Sequence, residues 1–317
     1  MPAQQPDKQL YPLGELSSGF ICPLCQQRLA ADANSLVCAK GHRFDWAKEG
    51  YINLLPVQKK RSKDPGDNKE MMQARRLFLE SGFYQPLSDR VNELAASLAQ
   101  PIHQLLDLGC GEGYYTARLA DALTGGGAET AAKNAGKDAV KDGASSSAQS
   151  HPQQVQTYGL DISRAALKVA AKRYKSIHFC VASSFDTPFA DGFFDLVLRI
   201  YAPSKPQELA RIVAPGGYLL TVSAGPMHHF AVKQKIYDTP RLHEDKDEWL
   251  EEFTPIHSER LQWQLELTEP EHILAFLEMT PYAWKFSPEA KIALAAKPFS
   301  CELDFRINLQ QRVVQSE

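Results

Sequence analysis

The run Leu105-Leu106-Asp107-Leu108-Gly109-Cys110-Gly111-Glu112-Gly113-Tyr114-Tyr115-Thr116 constrains the fold more than any other stretch of this 317-residue chain. A short apolar run ends in glycines at alternate positions and gives way to a helical pattern, as where a strand hands over to a helix in an open α/β sheet. Glycine lets the backbone turn tightly there and come close to a ligand. A dinucleotide fingerprint needs a glycine at position 114, where this chain has Tyr114, and Glu112 would repel a pyrophosphate. Acidic residues at 107 and 112 suit instead a ligand carrying a sulfonium and an ammonium group, which is S-adenosylmethionine. Asp161, closing Tyr158-Gly159-Leu160-Asp161, supplies a carboxylate for ribose hydroxyls.

Gly113 and Asp161 stand 48 residues apart, where such units place the acid about 20 residues on. Residues 124–154 are rich in Gly, Ala and Ser with almost no large apolar side chain, and without those 31 residues the spacing is 17. That composition predicts a disordered surface insertion. Around it the pattern predicts strands at 103–109, 155–161, 177–183, 194–201 and 217–224, with helices at 114–123, 163–174 and 205–214. Cys301, Leu303, Phe305, Ile307 and Leu309 alternate at period two, which predicts an antiparallel closing strand.

Three of the six cysteines cluster near the front with a histidine, in the order Cys22-x2-Cys25-x12-Cys38-x3-His42. These are four ligands of the kinds that close a tetrahedral zinc site. The Cys-x2-Cys turn aims two thiolates at one point, and the excursion after it has room for a short hairpin that returns the second pair. The start of the chain lacks the apolar core of a signal peptide and no run is long enough to span a bilayer, so the expected compartment is the cytoplasm, without membrane association. There, clustered cysteines read as metal ligands and not as disulfides. One structural Zn2+ would stand in for a core that so few residues cannot build. The other three, Cys110, Cys180 and Cys301, read as small buried hydrophobes.

Charge is uneven. Residues 1–76 hold twelve Lys/Arg against eight Asp/Glu, while the whole chain carries −3. The run Lys59-Lys60-Arg61-Ser62-Lys63 before Asp64-Pro65-Gly66-Asp67 is either a solvated linker or a strap contacting phosphates.

Several longer stretches carry a resemblance. The zinc quartet, Lys48-Glu49-Gly50-Tyr51-Ile52-Asn53-Leu54-Leu55-Pro56-Val57-Gln58, the 64–67 turn, Met71-Met72-Gln73-Ala74-Arg75-Arg76, the 107–116 loop and Arg199-Ile200-Tyr201-Ala202-Pro203 resemble the zinc-containing 23S ribosomal RNA guanine-N1-methyltransferases. The likeness runs from about residue 20 nearly to the end. It implies a class I S-adenosylmethionine-dependent α/β fold, with a Rossmann-like, mostly parallel seven-stranded sheet and a small N-terminal zinc-binding domain. The expected division is 18–58 for the zinc-binding, RNA-recognising domain, 59–80 for a basic linker and helix, and 81–317 for the methyltransferase domain. It further implies a guanine in a 23S rRNA hairpin loop as substrate, a homodimer, and cofactor contacts from Tyr84 and His228 beside Asp107, Gly109, Gly111, Glu112, Gly113 and Asp161.

Methyl transfer from a sulfonium needs alignment and no covalent nucleophile. Guanine N1 carries a proton, so charge on O6 or the proton itself must be handled. Candidates follow the fourth strand, beyond the carboxyl ends where ligands of such sheets bind. Tyr201 would stack on the base, and Arg199 would either face O6 or form a structural ion pair. Asp186 and Asp191 are further carboxylates that might accept the proton in principle by position alone. Two rival readings remain at this level. Pro188-Phe189-Ala190-Asp191-Gly192-Phe193-Phe194-Asp195 resembles a segment of small-molecule methyltransferases, and a zinc-dependent RNA-binding protein on an inactive fold would share the front end.

Overall fold

A computed structural model describes residues 19–59, 69–125 and 155–314. The turn at 64–67, most of the basic run before it and most of the 124–154 insertion lie outside the described residues. The N-terminal unit opens with three short strands, β1 (Leu29–Asp32), β2 (Ser35–Cys38) and β3 (Arg43–Asp45), in one antiparallel sheet. The hairpin expected between the cysteine pairs is β1 and β2, registered from Leu29 opposite Cys38 to Asp32 opposite Ser35.

The main sheet contains β4 (Tyr51–Asn53), β5 (Gln104–Leu108), β6 (Gln156–Asp161), β7 (His178–Val181), β8 (Phe194–Ile200), β9 (Val213–Ala224), β10 (Phe253–Leu267) and β11 (Phe299–Arg312). Their order across the sheet is β10-β11-β9-β8-β5-β6-β7-β4. From β4 to β9 neighbours run parallel, and β11 pairs antiparallel with both β9 and β10. The closing strand read from period two is β11. Helices α1 (Lys69–Glu80), α2 (Gln85–Ala96), α3 (Tyr114–Leu123), α4 (Arg164–Arg173), α5 (Pro206–Ile212), α6 (Phe230–Gln234), α7 (Pro270–Met279) and α8 (Pro288–Ala295) connect and cover it.

Local chemistry starts these helices where they start. Ser163 and Ser287 each accept the backbone N–H three residues on, from Ala166 and Ala290, and so cap α4 and α8. Proline stands in the first turn of α2, α5, α7 and α8, where its missing N–H has no helical partner to lose. In β5, Leu105, Leu106 and Leu108 are all buried, as expected for a central parallel strand covered on both faces.

The sheet has eight strands where seven were expected. The extra one is β4, which pairs parallel with β7, Tyr51 beside Phe179, Ile52 beside Cys180 and Asn53 beside Val181. Three residues are too few to show a period, so the pattern could not reveal it. The zinc unit is therefore joined to the catalytic sheet by backbone bonds. The Leu54 N–H donates to the Val181 carbonyl at 2.9 Å and the Ile21 N–H to Pro188 at 2.9 Å. Phe20, fully buried, stacks on Phe189 at 5.2 Å and meets Tyr158 edge-on at 5.6 Å. Leu29, Leu36 and Trp46 of the ribbon share one apolar cluster with Leu106, Leu108 and Val197 of the sheet.

Candidate functional site

At the metal cluster, the ligand atoms of Cys22, Cys25, Cys38 and His42 all lie within 4.8 Å of one another. Cys22 Sγ is 3.5 Å from His42 Nδ1, Cys38 Sγ is 3.4 Å from the same nitrogen, and Cys25 and Cys38 sulfurs are 3.6 Å apart. With Zn–S near 2.3 Å and Zn–N near 2.0–2.1 Å, a tetrahedron has edges of about 3.5–3.8 Å, so the quartet fits zinc without rearrangement. Tight turns bring it about: the Gln26 N–H returns to the Cys22 carbonyl and the Gly41 N–H to that of Cys38, both at 2.8 Å.

A cavity of about 410 Å³ opens beyond the carboxyl ends of β5, β6, β7 and β8. The order of connections reverses between β5 and β8, which is where open α/β sheets bind ligands. Asp107, Gly109, Gly111, Glu112, Asp161 and Tyr201 all line it. Gly109 and Gly111 sit in the left-handed region at φ of +84° and +55°. A Cβ on Gly109 would come within 2.3 Å of the Ala202 Cβ, whereas one on Gly111 would meet nothing within 4 Å. Gly113, also left-handed, caps the start of α3. Asp161 accepts the Gly111 N–H at 2.9 Å and the Ser163 N–H at 2.7 Å, which fixes the end of β6 against the glycine loop.

The acids here differ from those in water. Burial pushes Asp107 up to about 7, against the Thr116 hydroxyl that donates to it at 2.5 Å, and the Asp161 charge adds to the rise. Burial likewise pushes Glu112 up to about 7. A cation entering the cavity therefore meets carboxyl groups poised to ionise around neutrality, which suits a donor bearing positive charge.

Other expected residues stand elsewhere. The Arg199 guanidinium is buried; it donates to Ser204 Oγ at 2.9 Å and pairs with Glu248, and it does not line the cavity. Of the two alternatives for Arg199, the structure forms the ion pair. Asp191 pairs with Arg211 at 2.7 Å, and neither it nor Asp186 lines the cavity. Tyr84 and His228 lie behind the cavity wall. Tyr84 Oη is 2.9 Å from His229 Nε2, the two imidazoles stack at 3.8 Å, and His228 Nε2 is 3.1 Å from Tyr201 Oη. Burial pushes His228 down to about 3 and His229 well below the ordinary histidine range, so both rings are neutral. Cys110, Cys180 and Cys301 are buried thiols, as expected.

Sequence reasoning missed the α1 wall, formed by Met72, Arg75 and Leu79, and the turn after β7 with Ser183, Ser184 and Phe185. Ser184 Oγ donates to the Pro203 carbonyl at 2.6 Å and ties that turn to the loop bearing Tyr201. The carboxyl-end rule, applied to β7 as it was to β8, would have found Phe185.

Strand order, glycine loop and carboxyl-lined cavity together define an S-adenosylmethionine-dependent methyltransferase, here with a zinc ribbon built into its sheet. Comparison with known families agrees. The family described as "Methyltransferase domain" matches residues 101–266, and the zinc ribbon described as "RlmA, N-terminal" matches residues 20–63. The chain is 31% identical over 301 residues to YxjB of Bacillus subtilis (strain 168), whose name places it among the 23S rRNA (guanine-N(1)-)-methyltransferases, covering 92% of this chain and 96% of that one. The 23S rRNA (guanine(748)-N(1))-methyltransferase of Streptomyces fradiae is 29% identical over 276 residues, 84% of this chain and 86% of that one. Among solved structures, the Bacillus YcgJ protein aligns with a TM-score of 0.41 at 15% identity, over 72% of this chain and 100% of that one. The chain belongs to the 23S rRNA (guanine-N1)-methyltransferase family.

Proposed function

We propose that the protein transfers the methyl group of S-adenosylmethionine to N1 of an unpaired guanine in a hairpin loop of 23S rRNA. The observation that carries this reading is a relationship spanning zinc ribbon and catalytic domain together, at 31% identity to a relative of that name. An unpaired base suits the chemistry, since N1 lies on the Watson–Crick edge and is hidden in a duplex.

S-adenosylmethionine supplies an electrophilic methyl group on a cationic sulfur. In the proposed arrangement Asp161 accepts the ribose hydroxyls, the backbone at Gly109 and Gly111 permits close approach, and ionised Asp107 and Glu112 balance the positive charge. Gly113 starts α3 beneath the bound donor. Tyr201 stacks on the target base; its ring is 46% exposed at the cavity mouth while its hydroxyl turns inward to His228. Arg199, held by Glu248 and Ser204, stiffens the loop that carries Tyr201. Productive alignment of acceptor and methyl at about 3 to 3.5 Å is the main thing these residues provide. The zinc unit helps to recognise the hairpin. We further infer a cytoplasmic enzyme, because its substrate is ribosomal RNA, and a homodimer, from the family resemblance.

The test is incubation with labelled S-adenosylmethionine and bare large-subunit RNA, followed by mapping of the modified base. N1-methylguanosine in a hairpin loop is expected. Label on an exocyclic amine, or only on small acceptors, would overturn the reading.

A further inference from the structure

Four residues in the left-handed region without being glycine are Gln26, Ala33, Tyr201 and His229, and two of these belong to one buried relay. Such backbone strain of about 1–3 kcal/mol per residue persists only where surrounding contacts hold it. Tyr201 and His229 are linked through His228: Tyr201 Oη lies 3.1 Å from its Nε2, and the two imidazole rings stack with 27° between their planes. Asp304 supports the arrangement from below. It is fully buried, accepts the Met227 N–H at 2.8 Å and pairs with Arg260 at 2.6 Å. A Cβ at Gly225 would strike its carboxylate at 2.2 Å, so the 225–228 turn sits directly upon it.

The Asp304 backbone N–H donates to His228 Nδ1 at 3.3 Å. That nitrogen must therefore offer a lone pair, and a neutral imidazole then carries its one proton on Nε2. The bond to Tyr201 can run in one sense only, with His228 donating and the phenol oxygen accepting. The Tyr201 hydroxyl proton is left for a different acceptor.

We propose that His228 is a positioning residue that turns Tyr201 into a hydrogen-bond donor toward the acceptor base, its Nε2–H holding the phenol oxygen while the phenol proton is offered to an acceptor atom such as a purine carbonyl. This rests on the reading that Tyr201 meets the target base. Tyr84 and His229 complete the clamp by fixing the ring against which His228 stacks. In the reaction such a donor stabilises charge that develops on the carbonyl as the ring nitrogen loses its proton.

Two measurements test it. Nitrogen-15 NMR of the histidine-labelled, zinc-loaded free protein reports which ring nitrogen of His228 is protonated, and Nε2–H is expected. An Nδ1–H signal would overturn the proposal whether or not RNA is methylated, whereas a wild-type protein inactive on guanine N1 would sink the functional reading and leave the tautomer standing. The second is a double-mutant cycle on RNA methylation. Tyr201→Phe and His228→Leu should each lower kcat about 10- to 100-fold, with affinity for S-adenosylhomocysteine held within about twofold. The double variant should be scarcely worse than either, because both changes remove one contact. Multiplied losses would show independent roles and overturn the proposal. His228→Gln, whose amide restores an N–H near Tyr201, should recover turnover relative to His228→Leu of similar bulk. Equal turnover of those two variants would also overturn it.

Discussion

A methyl group added at Gly109 would stand 2.3 Å from the Ala202 Cβ on a backbone at φ of +84°, while at Gly111 it would stand in open space at φ of +55°. Left-handed strain costs roughly 1–2 kcal/mol at either position, and only the first adds a collision. Gly109→Ala is therefore expected to lower the thermal midpoint by several degrees more than Gly111→Ala, and Gly111→Ala to lose donor affinity out of proportion to its stability; melting curves and calorimetry check both. The acids make a second prediction. Asp107 and Glu112 are both pushed up to about 7, so each binds its proton more tightly folded than unfolded. That contribution to stability is present at acid pH and is lost as pH rises from about 4 through about 7. A cationic donor prefers the ionised acids, so its affinity should rise across the same upper window. Arg76 and Arg173 pull Glu112 down and Glu80 pushes it up, and Glu112→Gln should flatten the rise. Calorimetric titration over that range would contradict this if wild type and variant gave the same slope. The residues of this loop were legible because they belong to one local motif. Arg199 was not, since its fate depends on Glu248, 49 positions away, and the Tyr84–His229 pair spans 145 positions. No short-range pattern carries such pairings.

At the scale of elements, what matters most is where β4 lies. It pairs with β7, and the chain leaving β7 forms the Ser183–Phe185 side of the cavity. Structural zinc supplies about 10–16 kcal/mol in small ribbons, comparable to the 5–15 kcal/mol that holds a whole domain together. Reading the sequence alone suggests that Cys25→Ser would abolish RNA methylation and spare donor binding in a separate domain. The shared core reverses the second half of that expectation. Chelating the zinc, or Cys25→Ser, should lower the thermal midpoint of the catalytic sheet and weaken S-adenosylhomocysteine binding by about tenfold or more; unchanged binding heat after metal removal would show the units to be independent. The parallel core strands were readable from their continuous apolar runs and the closing strand from its alternation. β10 escaped because its middle is half exposed and alternates charged and polar residues, and β4 because it is three residues long.

For the molecule as a whole, the front of the chain carries the positive balance, twelve basic residues against eight acidic among the first 76. If that end tracks RNA phosphates, log affinity should fall linearly with log salt, and replacing Lys60, Arg61 and Lys63 by Ala should lower the slope by about 2, at about 0.7 per phosphate contact on single strands. Filter binding across a salt series measures this, and an unaltered slope would make that run a plain linker. Among the described residues no helix is long and apolar enough to cross a membrane. The parallel pairing of Tyr51–Asn53 with Phe179–Val181 also sets a timetable for synthesis. The ribbon leaves the ribosome first, yet its berth in the sheet is translated roughly 125 residues later, a wait of about 6 to 25 s at usual elongation rates. During that interval the newborn chain must fill its thiolates with metal and shield Phe20, Ile52 and Leu54 unaided, so zinc supply at the exit tunnel governs the yield of folded enzyme.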